Sequence, residues 1–268
     1  MEPRDFGGVI NATFQFIIQE MGGLILAVTA IAGPLLFVEA ILADGSPKEI
    51  LDYIFRSSDY FWIFSSAALP AVVYDYIIIY NQCDGSPVTI PKIFQRFKKD
   101  VFLVILIHVL SFISMLVGFF LLIVPGILLT VYLSIWAITY LNEDVSFSES
   151  ISRCFYLIKQ NWWETLGVIF ISVLIQYGLS FIIQSPLMIW AYLQDFFSVT
   201  DDSIGEEITF IQTIIMAVGG IINQMVSIIS TVAITFQYFS LKEQKDATGL
   251  LKKIDSFGTN TDEVAEEY

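Results

Sequence analysis

The sequence predicts an all-α, polytopic membrane protein, and three observations carry that expectation: six long apolar runs, a scarcity of charge, and a one-sided distribution of the basic residues. The runs are Gly22 to Leu42, Tyr60 to Tyr80, Val101 to Ile123, Gly126 to Leu141, Trp162 to Ile183 and Met216 to Gln237. A spanning helix needs about 20 mostly apolar residues, because a rise of about 1.5 Å per residue must cover a hydrocarbon core of about 30 Å. With 56% hydrophobic and 15% charged residues, the chain lies outside the range of soluble domains, whose charged fraction is about a quarter. Six spans in 268 residues leave room for one six-helix membrane domain, residues 1–241, and a short cytoplasmic tail, residues 242–268.

If both termini share a face, that face collects Arg4, Lys92, Arg96, Lys98, Lys99, Arg153, Lys159, Lys242, Lys245, Lys252 and Lys253, and the other face holds only Lys48 and Arg56. The positive-inside rule then puts both termini in the cytoplasm and the protein in the cytoplasmic (inner) membrane. The net charge of -14 does not oppose this, because acidic residues contribute little to topology. The acids of the outer connections, Asp44 to Asp59 and Asp195 to Glu207, are better explained by a solvated loop than by cation capture. No cleavable signal precedes the first run, which is long enough to span. Cys83 and Cys154 both fall in expected cytoplasmic segments, so no disulfide is expected.

Taken in chain order, each inner segment before an odd-numbered span has Ile and Phe four residues apart: Ile10 and Phe14, Ile93 and Phe97, Ile151 and Phe155. Residues with that spacing share a helix face. Three amphipathic helices are therefore expected flat on the inner interface, near residues 5–19, 90–99 and 147–160, each turning into a span. Either a hairpin unit repeated three times or shared amphipathicity accounts for the pattern. Ser146 and Glu149 form a capping-box signature for the third. Gly33-Pro34 marks a kink in the first span. Val124-Pro125-Gly126 is expected as a tight outer turn, since Pro cannot continue a helix and Gly tolerates the reversal. The outer connection from Gln184 to Thr209 contains an apolar piece, Pro186 to Leu193, too short to span and expected to lie in the outer interface. Gly219-Gly220 interrupts the last apolar run, where a turn, kink or tilt would absorb its excess length. From Ser256 onward the chain lacks apolar periodicity and is expected to be disordered.

Three stretches, Ile123 to Leu129, Asn142 to Trp163 and Tyr238 to Lys245, together resemble a broad group of bacterial six-helix membrane proteins, similar to the YciC-like proteins and to the membrane domain attached to some glycerophosphodiester phosphodiesterases. The resemblance covers most of the chain and implies a fold without an activity. In the phosphodiesterase relatives catalysis belongs to a separate soluble domain, and this chain has one histidine and no room for such a domain.

Within the apolar runs, Asp75 is the one acid well inside and His108 is the only histidine. Counted from the cytoplasmic ends of spans two and three, they lie about 7 and about 10 Å deep. Side by side they would form a proton-holding pair; the competing expectations are a static hydrogen bond, or Asp75 reaching the inner interface near Lys98 and Lys99. Gln176, Asn223 and Gln224 are expected to meet between spans five and six. Nucleotide-binding glycine patterns, nucleophile elbows and zinc-ligand spacings are absent from the sequence. No enzyme activity, cofactor, metal or nucleic-acid partner is expected. The expected function is a scaffold or accessory protein working through membrane lipids or other membrane proteins; the alternative is a small-solute or proton-coupled transporter or channel using Asp75 and His108. Substrate, if any, is unknown from sequence.

Overall fold

A computed structural model describes residues 4–42, 57–82, 88–121, 123–143, 145–198 and 218–246. Among them the elements are all α-helices: α1 Phe6–Ile31, α2 Gly33–Leu42, α3 Ser57–Gln82, α4 Ile90–Leu121, α5 Ile123–Leu133, α6 Trp136–Glu143, α7 Phe147–Ile158, α8 Trp162–Ser198 and α9 Ile228–Asp246. A helical stretch from Val218 leads into α9 through a turn at Ser227. Five stretches are long and apolar enough to cross a membrane: Phe6–Ile31, Ile90–Phe120, Ile123–Glu143, Trp162–Trp190 and Val218–Asp246. The chain is thus all-helical and compatible with a multi-pass membrane protein. Cys83, the middle of the outer connection at 199–217 and the tail from 247 lie outside the described residues.

The expected second span, Tyr60 to Tyr80, falls in α3, which lies at the centre of the bundle. From Ala67 to Ile79 every residue but Pro70 is buried. A helix apolar on all sides needs neighbours on all sides, and α1, α2, α4, α6 and α9 provide them. The second central helix is α9, where Val232, Phe236, Tyr238 and Leu241 are buried. Helices α4, α5 and α8 are peripheral and turn large apolar side chains outward, among them Phe102, Phe120, Ile123, Phe170 and Phe181.

Local chemistry explains where the helices start and stop. The Asp5 carboxylate accepts from the Gly8 amide at 2.8 Å and starts α1, satisfying one of the donors that a helix N-terminus leaves unpaired. Ala32 closes α1 with its N–H on the Val28 carbonyl, and Pro34 enters α2 in its first turn. A proline ring clashes with the carbonyl four residues back and cannot donate, so the expected kink is a break between two helices. At the opposite end of the chain, Ser240 Oγ accepts from the Arg4 amide and donates to the Arg4 carbonyl, both at 2.9 Å. The start of α1 therefore lies beside the end of α9.

Two of the three expected interfacial helices do not exist as separate elements. Residues 6–19 are the first half of α1 and residues 90–99 the first turns of α4, because neither Gly22-Gly23 nor the Lys98 to Val101 junction contains a residue that stops a helix. Only α7 is distinct. The expected threefold unit is therefore not seen at the level of elements. The capping box holds: the Glu149 amide donates to Ser146 Oγ at 3.3 Å. Part of the apolar stripe of α7 is covered by protein, since Cys154 and Ile158 are buried, with α5, α6 and α9 against the helix, while Phe155 stays exposed. Trp136 Nε1 donates to Ser150 Oγ at 2.8 Å, and the rings of Tyr132 and Phe155 stack at 4.4 Å.

The outer half also differs from expectation. Pro186 to Leu193 is not a separate interfacial piece, because α8 runs through Pro186 to Ser198. Gly219-Gly220 is helical, and the interruption falls at Ser227 instead. Pro125 and Gly126, expected as a tight turn, sit in the first turn of α5, where a proline's missing N–H is an orphan in any case, and α5 packs back along α4. Gly126 serves close approach: a Cβ there would lie 2.8 Å from the Phe119 amide nitrogen, and one on Gly118 would lie 2.8 Å from the Gly126 Cα.

Candidate functional site

The deepest charge sits on α3. Asp75 is 1% exposed, and an isolated buried carboxylate is costly unless paired. Its partner comes from α4: Arg96 Nε lies 2.9 Å from Asp75 Oδ1. A terminal nitrogen of the same guanidinium donates to the Leu141 carbonyl near the end of α6, and Asp100, one turn along α4, lies 4.0 Å from Nε. One side chain thus ties α3, α4 and α6 together. The planar fork of arginine suits two acceptors in fixed directions.

The structure joins Asp75 to Arg96 rather than to His108. The histidine follows Arg96 by twelve residues on α4, about 18 Å further along the axis at 1.5 Å per residue, and its side chain lies on an exposed face. The expected pairing assumed that span three began at Val101. Because α4 starts at Ile90, the residue level with Asp75 is Arg96, which lies on the same helix as the expected Lys98 and Lys99 but was not among the expected partners.

A second polar assembly, which sequence reasoning missed, joins α6, α7 and α9. Glu143 accepts from Arg153 Nε at 2.7 Å through Oε2 and from the Tyr238 hydroxyl at 2.8 Å through Oε1, and Lys242 Nζ lies 3.5 Å from that same Oε1. Asn142 donates to the Tyr238 oxygen at 3.0 Å. Arg153 also pairs with Asp246, while Lys245 donates to Gln160 and Asn161 to Gln244. Burial pulls the Arg153 guanidinium down, but its bonds to Glu143 and Asp246 outweigh that and hold it above its ordinary value. Beneath this network, burial pushes the Cys154 thiol up to about 12, against a weaker opposing effect of its hydrogen bond to Thr139. The signal available in the sequence was Glu143 just before a capped helix and Arg153 within it, with Tyr238 and Lys242 spaced one turn apart.

Other expected positions are distributed as follows. Gln176 accepts from Ser230 Oγ at 2.6 Å, and Gln176 and Asn223 line the same open groove along α8, of about 960 Å³. The Asn223 side-chain oxygen is buried without a partner. An acid outside the expected set, Glu20 on α1, accepts from the Tyr76 hydroxyl at 2.7 Å. Among the described residues no group of three or more His, Cys, Asp or Glu side chains is arranged to hold a metal ion.

Chemically, both assemblies immobilise their charges. Each titratable group in them faces a fixed counter-charge or donor, so they lock helices together instead of presenting a reactive group. No family model, curated protein or solved structure matches this chain, and the resemblance to the six-helix proteins is one of the quoted motifs alone.

Proposed function

We propose that this chain is a six-span protein of the cytoplasmic membrane, with both termini in the cytoplasm, acting as a scaffold or accessory protein through membrane lipids and other membrane proteins. The observation that carries the reading is the contrast between the two kinds of surface. Charges at one end of the bundle are committed to each other, while α4, α5 and α8 turn broad apolar faces outward. Surfaces of that kind are covered by lipid or by other helices.

Parity supports six crossings. The beginning of α1 and the end of α9 meet at one end of the bundle, which fits an even number of passes, and α3 added to the five apolar helices makes six. The basic residues that gather at this end, Arg4, Arg96, Arg153, Lys242 and Lys245, favour the cytoplasmic side. The stretches that carry the resemblance to YciC-like proteins, Asn142 to Trp163 and Tyr238 to Lys245, are the ones that interlock there. The engagement of Asp75 by Arg96, with His108 elsewhere on α4, favours the scaffold reading over the transport alternative.

Reconstituted vesicles test the reading. With a pH-sensitive dye inside and an imposed gradient, the protein should cause no dissipation, and Asp75→Asn should be indistinguishable from the parent. A proton or solute flux that Asp75→Asn abolishes in a folded protein overturns the scaffold reading in favour of transport. Orientation is tested separately with a single cysteine at Ser148→Cys, exposed on α7, in a Cys83→Ser, Cys154→Ala background. Labelling by an impermeant reagent from outside intact cells would reverse the topology.

A further inference from the structure

Beside the Asp75–Arg96 pair, α4 and the end of α6 enclose a cavity of about 270 Å³, with Arg96, Lys99 and Asp100 on one wall and Tyr140, Leu141 and Val145 on the other. Its size falls below the range of about 300–1,000 Å³ typical of pockets for drug-sized molecules, so it suits a compact headgroup better than a whole amphiphile. It opens at the level where α4 passes from its basic first turns into its apolar length.

The wall is prepared for two opposite charges. A guanidinium has five N–H donors, and two of its nitrogens are already committed, Nε to Asp75 and one terminal nitrogen to the Leu141 carbonyl. Those bonds fix the plane of the group, and among the described residues the remaining terminal nitrogen has no hydrogen-bond partner, which leaves its hydrogens for a ligand. Lys99 is exposed and makes no ion pair among the described residues. Arg96 lies 2.9 Å from the buried Asp75 and 4.0 Å from Asp100, so with Lys99 the two bases and two acids leave the site near neutral, and loss of Asp100 would make it net positive. Adjacent helix positions do not face each other, which leaves a cation and an anion directed apart at one cavity. A purely anionic ligand would meet Asp100, and a purely cationic one would meet Lys99 and Arg96.

We propose that this cavity holds the headgroup of an inner-leaflet phospholipid bearing both a phosphate and an ammonium. Arg96 and Lys99 take the phosphate oxygens through charge-assisted hydrogen bonds, Asp100 takes the ammonium, and Leu141 and Val145 cover the glycerol end. The assignment rests on the cytoplasmic orientation proposed above, which brings this end of the bundle to the inner-leaflet headgroups.

The test uses the full chain, equilibrated with phosphatidylethanolamine and phosphatidylglycerol at equal mole fraction, with bound lipid counted by native mass spectrometry. The parent should retain phosphatidylethanolamine preferentially. Lys99→Gln should lower retention of both lipids about tenfold, and Asp100→Asn should move the preference toward phosphatidylglycerol by about tenfold, because the wall is then net positive; each factor corresponds to about 1.4 kcal/mol. Both positions lie at the protein surface or its edge, and an unchanged thermal midpoint for each variant shows that folding is intact. Absence of selectivity in the parent, or an unchanged lipid ratio in Asp100→Asn, overturns the proposal. Soluble phosphoethanolamine that displaces the lipid at equal concentration would make the ligand a free phosphate ester and overturn the lipid assignment. Failure of the orientation is distinguished by outside labelling of Ser148→Cys, which removes the inner-leaflet assignment whatever the lipid ratio.

Discussion

Arg96 and Asp75 face each other across α4 and α3 at 2.9 Å, with the acid buried and the guanidinium also bound to the Leu141 carbonyl. Removing one partner of a buried pair leaves an uncompensated charge, which costs about 3–5 kcal/mol. Arg96→Gln should therefore lower the thermal midpoint in detergent sharply, whereas the Asp75→Asn, Arg96→Gln double variant should recover much of the loss. Equal midpoints for the single and double variants would show that the pair is not coupled. Arg96→Lys should rescue poorly, because a single ammonium cannot reproduce the fork between the carboxylate and the carbonyl.

Tyr238 and Glu143 link α9 to α6 in the middle of the second network. Tyr238→Phe removes one hydrogen bond to a charged group, a loss of about 1.5–3 kcal/mol. Glu143→Gln should cost more, since Lys242 loses its acid and Arg153 is left with Asp246 alone. Hydrogen exchange of the amides from Ser240 to Asp246 is the measurement, and faster exchange in both variants, greater in Glu143→Gln, is the expected outcome. Unchanged protection would mean that the end of α9 is held by the Arg4 contacts alone.

Much of the fold was legible because apolar length is a property of the chain itself, and five apolar runs correspond to helices able to span. Helix ends were less legible, since a helix stops only where something stops it. The Lys159 to Asn161 junction does so, as Asn161 turns its carbonyl to the Thr165 amide and hydroxyl, both at 2.9 Å; Gly22-Gly23 does not, and α1 begins at Phe6, well before the expected span. That shift also explains the site. Asp75 was recognisable as an acid in an apolar run, but its partner depends on where α4 begins and how it is rotated, which packing decides. The network around Glu143 was hidden because its members are polar residues of ordinary kind, brought together over about a hundred positions.

The α4–α5 hairpin is the place where a methyl group should be least tolerated. At Gly126 a Cβ would meet the Phe119 ring carbon at 2.7 Å and its backbone nitrogen at 2.8 Å, and backbone cannot move aside as a flexible side chain can. Gly126→Ala should therefore destabilise the protein by an amount typical of overpacking, about 1–3 kcal/mol. Gly22→Ala is the control, because nothing lies within 4 Å of its would-be Cβ and alanine favours the helix by about 0.5–1 kcal/mol. A Gly126→Ala midpoint equal to or above that of Gly22→Ala would contradict the close crossing.

Cys154 is fully buried on α7, with its sulfur 3.7 Å from the Thr139 hydroxyl. Burial disfavours the thiolate and pushes the group from its ordinary 9.0 up to about 12. Since only the thiolate is an effective nucleophile, a maleimide at neutral pH should leave this thiol unmodified in the folded protein and react after denaturation. The linkage has a definite sign. A folded value above the unfolded one means that the native state holds the proton more tightly, so the contribution is fully present below pH 9 and is lost as the pH rises from 9 toward 12. Thermal midpoints measured across that window should fall for the parent and fall less for Cys154→Ala, once both are referred to their midpoints at pH 8. Rapid labelling of Cys154 in the folded protein, or identical alkaline profiles for the two chains, would show that α7 does not seal this face of the bundle.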